Sequence, residues 1–153
     1  MLKSIGVSLL AIGVMGSATA SAQSFSFEAT RGEVTSLGGI GPQGSLYSGA
    51  HWNGTYTATF EGEKSKNGAF DCAATAQPPG LFAMHIACTM TQDDGSFTSS
   101  WGCNPLSSAQ SEMICVAGLY GRSGRFEGLS GGATSHQKDN ISSGVGQFVK
   151  PGE

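Results

Sequence analysis

Catalysis by proton transfer needs a side chain that titrates near the working pH and touches the reacting atom. The candidates in this 153-residue chain are three histidines and eleven carboxylates, with four cysteines as candidate nucleophiles or ligands. His51 and His85 sit in stretches where apolar and polar residues alternate, and both fall on the polar side. That phase predicts solvent-facing imidazoles rather than a base inside a core. No H-x-H or H-E-x-x-H spacing marks a metal site, and no G-x-S-x-G marks a serine hydrolase. Glu61 and Glu63 share a face, but it is the polar face of a strand end, and Asp93 and Asp94 read as a turn. A glycosidase needs two carboxyls across a cleft, a relation that spacing along the chain does not express. The expectation is no catalytic residue, no metal and no cofactor.

The cysteines carry a different chemistry. Cys72, Cys88, Cys103 and Cys115 are 16, 15 and 12 residues apart, without the close pair of a zinc site or a thiol redox enzyme. Their meaning depends on the compartment. Residues 1–22 read as a cleaved signal peptide: Lys3, an apolar run from Ile5 to Val14, then Ala20-Ser21-Ala22 before Gln23. The apolar run is too short to span a bilayer, and no cysteine near the cut offers a lipid anchor. The chain therefore divides into a leader (1–22) and one domain (23–153), periplasmic or secreted. In such an oxidising setting two disulfides are expected.

Composition narrows the class. Charged residues are 12% of the chain, against about 25% in an average domain. The formal charge is −3, and −4 once Lys3 is removed, which repels phosphate and excludes a charge-driven nucleic-acid binder. With 24 glycines and no segment of helical period outside the leader, a helix bundle is excluded as well. No second stretch approaches membrane-spanning length.

The elements that must position any site have a period of two. Trp52, Gly54, Tyr56, Ala58 and Phe60 alternate with Asn53, Thr55, Thr57, Thr59 and Glu61. Phe82, Met84, Ile86, Cys88 and Met90 repeat the pattern, as do Phe70, Cys72, Ala74 and Ala76, and Phe97, Trp101 and Cys103. The stretch 112–118 is apolar on both sides and reads as a central strand. Ser24–Ala29, continuing through 33–37, and weaker runs at 45–50, 133–137 and 145–149 complete the set. Turn signals separate them at 38–44, 77–80, 93–95 and 104–108. Eight or more short antiparallel strands suit a closed barrel or a sandwich. Three disulfide connectivities are open, and strand phase favours Cys103–Cys115 across the turn near Ser108. Cys72–Cys88 would then lie about three residues out of alignment, requiring a bulge or a diagonal pairing.

Residues 121–131, Gly-Arg-Ser-Gly-Arg-Phe-Glu-Gly-Leu-Ser-Gly, resemble a recurring glycine pattern of the allene oxide cyclase and dirigent-like barrels, approximately G-G-T-G-x-F-x-G-x-x-G. Gly121, Gly124, Phe126, Gly128 and Gly131 fall on it, while Arg122 and Ser123 stand where the pattern has Gly and Thr. The resemblance implies an all-β fold, an antiparallel eight-stranded barrel of calycin type. It also implies that the glycines supply positive φ in a tight crossing while Phe126 plugs one end. Exported bacterial proteins with paired cysteines look like the nearest relatives. The cyclase chemistry is not implied, because that family's catalytic residues have no one-to-one positions here. A phosphate-loop reading fails too, lacking the Lys-Ser or Lys-Thr ending and a following helix.

The barrel interior then holds the candidate binding residues: Trp52, Tyr56, Phe60, Phe82, Met84 and Trp101. Either they fill the barrel, or they line an apolar cup of several hundred Å³ at its mouth with Tyr56 offering a hydroxyl. The resulting expectation is a non-catalytic exported barrel that binds a small apolar ligand at its mouth. The alternatives are an isomerase- or cyclase-type barrel enzyme and a structural or inhibitor-like envelope protein. The oligomeric state stays open.

Overall fold

The computed structural model describes residues 22–40, 46–77, 80–106 and 112–152. The expected leader lies outside them but for Ala22. Eight strands form: β1 (Gln23–Ile40), β2 (Leu46–Phe60), β3 (Lys66–Ala76), β4 (Met84–Gln92), β5 (Gly95–Pro105), β6 (Glu112–Gly124), β7 (Ser130–Lys138) and β8 (Ile141–Val149). Each pairs antiparallel with its neighbour in sequence, and β8 returns to β1, so the sheet closes into a barrel. Among the described residues no helix is long and apolar enough to cross a membrane.

The register fixes the barrel's width. From Phe60, successive partners are Phe25, Gly146, Ala133, Ala117, Trp101, Ile86 and Ala74, and the path re-enters β2 at Ala50, ten residues before it began. A stagger of ten over eight strands, at a rise of about 3.3 Å and a spacing of about 4.8 Å, tilts the strands by about 40°. The backbone wall then lies about 8 Å from the axis, room for side chains and little more. Glycines make room for large rings inside this narrow tube. A Cβ at Gly68 would strike the Tyr56 ring, at Gly54 Phe70, at Gly144 Phe27 and at Gly146 Phe25. Each aromatic therefore leans over a glycine of the adjoining strand.

Both disulfides join directly opposed residues, Cys72 with Cys88 and Cys103 with Cys115. No bulge or diagonal pairing is needed for the first. The apparent offset came from starting β4 at Phe82, whereas the strand begins at Met84 and residues 81–83 leave the ladder. All four cysteines are buried. Loops of this length give each bridge about 3 kcal/mol by the chain-entropy account. Two buried disulfides are what an oxidising compartment outside the cytoplasm yields.

Other boundaries also differ from the sequence pattern. Gly38, Gly39 and Ile40 belong to β1 rather than to a loop, and the rest of the 38–44 turn lies outside the described residues. A register shift between Arg31 and Val34 marks the break in β1. The central-strand reading of 112–118 changes meaning in a barrel, where every strand has two neighbours yet only one covered face. Ile114 and Val116 point outward and are about half exposed.

Candidate functional site

The two ends of the barrel are built differently. At one end Phe25, Phe60, Phe97, Phe126 and Phe148 meet, with ring centroids 4.9–5.9 Å apart for neighbouring pairs. Phe126 is fully buried there and fills the position the glycine pattern implied. It enters from the turn 125–128, whose backbone closes by Glu127 N–H to the Gly124 carbonyl at 3.1 Å and Leu129 N–H to the Phe126 carbonyl at 3.0 Å. Gly124 and Gly128 take positive φ of 60° and 75°. Gly121 and Gly131 have another reason to be glycine: a Cβ would overlap the Phe126 or the Gln147 carbonyl.

An ionic clamp sits over this plug. The Arg125 guanidinium lies 4.4 Å above the Phe60 ring and donates two parallel hydrogen bonds to Glu63, at 2.6 and 2.7 Å. Lys66 joins Asp94 and, at 3.4 Å, Glu63, while Gln23 Nε2 donates to Glu63 at 2.9 Å. The Arg125 hydrogen bonds, with help from Lys66, pull the Glu63 carboxyl down to about 2. Asp94 is lowered chiefly by its bond from Lys66. The clamp ties the β2–β3, β4–β5 and β6–β7 connections together, so this end is shut.

Among the described residues the opposite end is open. A cavity of about 80 Å³ enters between Arg31, Trp52, Cys72, Ile86, Trp101 and Gln137, with Phe27, Phe70 and Met90 deeper in. A second void of about 20 Å³ lies below it beside Tyr56, Phe97 and Leu119. The mouth cavity can hold several waters or a small group, far below the ~300–1,000 Å³ of drug-sized pockets. The several-hundred-Å³ cup expected for an open barrel is not what forms. Most of the interior is filled, and the opening is a short apolar cleft.

The chemistry of that cleft is concentrated in Arg31. Its Nη2 donates to the Asp139 carbonyl at 3.2 Å, and its guanidinium carbon lies 5.9 Å from the Trp52 ring centre. Its Nε is buried and has no partner among the described residues. The β7–β8 end supplies Ser135, Gln137, Asn140 and Ser142 on the same wall. Trp101 brings no free polar group, because its indole N–H already donates to Ser99 Oγ at 2.9 Å. Among the described side chains around the cleft, Arg31 is the one that ionises.

The six interior candidates separate. Trp52 and Trp101 line the cleft. Tyr56 lies deeper, its ring across Gly68 and its hydroxyl 3.5 Å from the Thr91 carbonyl, and burial pushes the phenol well above its ordinary range. Phe60 belongs to the plug at the closed end, and Met84 packs against the core without forming the cleft wall. Phe82 is outside the barrel altogether. Both amide atoms of Asn104 bind the backbone of Leu81 and Ala83 at 2.9 Å and hold the Phe82 ring over Gly102 on the outer wall.

Sequence reasoning missed Arg31, although a signal was present: Arg31 stands where the Phe25-Phe27-Ala29 alternation would place an inward residue. His51 and His85 lie outside as expected, His51 beside Asp71 at 3.0 Å, and His136 sits beside Glu112 at 3.2 Å. Among the described residues no cluster of three or more His, Cys, Asp or Glu side chains offers a metal site.

Fold and site together define a disulfide-bonded, antiparallel eight-stranded barrel, plugged at one end and, among the described residues, narrowly open at the other. No protein-family model and no curated protein matches the chain.

Proposed function

We propose that this protein is an exported, non-catalytic binder of a small molecule with an apolar body and a negatively charged or strongly accepting end. One observation carries the reading: the Arg31 Nε–H, buried without a partner among the described residues at the rim of a mostly apolar cleft. A buried donor left unmade costs about 1–3 kcal/mol, so a site that leaves one favours a ligand that completes it. The apolar body would lie against Trp52, Trp101 and Ile86. The cleft's size limits that body to a single ring or a short chain. Against an isomerase or cyclase stands the lack, among the described residues of the cleft wall, of any group able to exchange a proton near neutral pH.

The chain's two tryptophans both line the cleft, so intrinsic fluorescence reports on it directly. Benzoate should change the emission saturably, and Arg31→Gln should weaken benzoate at least ~10-fold, the worth of a charge-assisted hydrogen bond. Benzyl alcohol should be affected far less by the substitution. Silence towards benzoate and hexanoate alike, or equal affinity in Arg31→Gln, would overturn the reading.

The outer wall favours a second reading, an envelope protein acting through its surface. Ile114, Val116, Tyr120 and Val145 are each about half exposed or more, and a groove of about 490 Å³ runs between Phe82, Ile114, Val116 and His136. Capture of an envelope partner by the wild type but not by Val116→Glu would favour it over the first.

A further inference from the structure

The closed barrel leaves one edge open. β8 pairs with β1 only from Gln23 to Thr30, and the last bond on that side is Arg31 N–H to the Asn140 carbonyl at 2.8 Å. Beyond the bulge, Val34 to Ile40 pair with β2 alone. β2 in turn loses its β3 partner before Gly49. Among the described residues the outer edge of β1 is therefore unpaired from Val34 to Ile40, and Gly38–Ile40 with Leu46–Ser48 form a two-stranded arm at the rim. Natural sheets guard such edges with lysine, proline, bulges or very short strands. Here the bulge sits at the arm's base, and Val34-Thr35-Ser36-Leu37-Gly38-Gly39 carries neither charge nor proline. Leu37 is 67% exposed and Val34 42%.

We propose that two copies of this chain join through this edge, pairing Val34–Ile40 antiparallel with the same segment of the second copy. The edge is complementary to itself. In the register centred on Leu37, each Leu37 faces its counterpart, Ser36 faces Gly38, and Thr35 faces Gly39. The nearest charges, the two Glu33 carboxylates, fall at opposite ends of the pairing, roughly 26 Å apart at about 3.3 Å per residue. A chain of net charge −3 thus meets its copy through an uncharged strip, and no charged partner is needed. The added strand satisfies the open row of N–H and C=O groups and makes one continuous sheet across both arms. This inference is independent of what the cleft binds.

The contact is small, so dissociation near the micromolar range is expected. Sedimentation velocity of the purified protein from about 1 to about 100 μM should show the mass rising from monomer to dimer. Backbone amides of residues 34–39 should gain protection from hydrogen exchange as the dimer fills. Leu37→Lys on one side of the strand and Ser36→Lys on the other should each weaken the dimer at least ~10-fold, since like charges would then lie opposite or nearly so. Neither substitution touches the core, and an unchanged melting temperature of the monomer would confirm intact folding. A monomer throughout the range would overturn the proposal. So would a dimer indifferent to both substitutions, or one leaving the 34–39 amides unprotected. Arm occupancy by a different protein, with no self-association, would overturn it as well.

Discussion

Replacing Phe126 with alanine removes the centre of the plug. The ring is fully buried, with its centroid 4.9 Å from Phe97, 5.2 Å from Phe148 and 5.9 Å from Phe60. Phe→Ala in a core costs about 3–5 kcal/mol, and three aromatic neighbours with the Arg125 clamp above leave little freedom to collapse into the gap. About 4 kcal/mol is the expected loss. Unfolding entropy of about 2.1 cal/mol/K per residue over roughly 130 folded residues converts this to a melting point about 15 °C lower. With a urea slope of about 2 kcal/mol/M, the midpoint should fall by about 2 M. Phe82→Ala is the matched control, because that ring lies half-buried on the outer wall and should cost about 1 kcal/mol. Both are read by urea unfolding with the disulfides intact. Equal losses, a reversed order, or a loss at Phe126 below about 1.5 kcal/mol would refute the plug.

Two further perturbations test the same architecture. Gly121→Ala should destabilise by about 3 kcal/mol because its Cβ overlaps the Phe126 carbonyl, whereas Gly118→Ala, with open space around it, should stay within about 0.5 kcal/mol of wild type by thermal melting. Acid should loosen the clamped end: Glu63 is held at about 2, below the ordinary carboxylate value near 4.5. Its stabilising contribution is therefore complete above pH 4.5 and drains away as the pH falls towards 2. Urea midpoints measured through this window should decline, and Glu63→Gln should make the decline shallower.

Much of the barrel is legible in the alternation of β2 to β5, because each residue's side of the wall depends only on its parity. Parity fails where the chain leaves the ladder. Phe82 continues the pattern of Met84 and Ile86, but Asn104, over twenty residues away, draws the 81–83 segment onto the outer face. The same detour explains why Cys72 and Cys88 look misaligned by counting yet lie opposite each other. The glycine pattern foretold where the chain turns, but only Gly124 and Gly128 need left-handed backbone, while Gly121 and Gly131 need the space of a missing side chain. The site was the least legible part. Arg31 interrupts an apolar series just before a bulge, and its contact with the Asp139 carbonyl of the β7–β8 turn, over a hundred residues away, has no signal in the local sequence. Low charge also acquires two meanings: it suits a wall closed on itself, and in the arm it leaves an edge unguarded.

Arg31 supports the most direct test of the binding account. Its Nε–H gives its own cross-peak in a nitrogen–proton NMR spectrum, separate from the backbone. Titration with benzoate should move that peak downfield and slow its exchange with water as the carboxylate takes the empty position, while toluene should shift only the tryptophan and aliphatic signals of the cleft. An Arg31 Nε–H signal that stays fixed while benzoate saturates the protein, or that is unmoved because no benzoate binds, would contradict it.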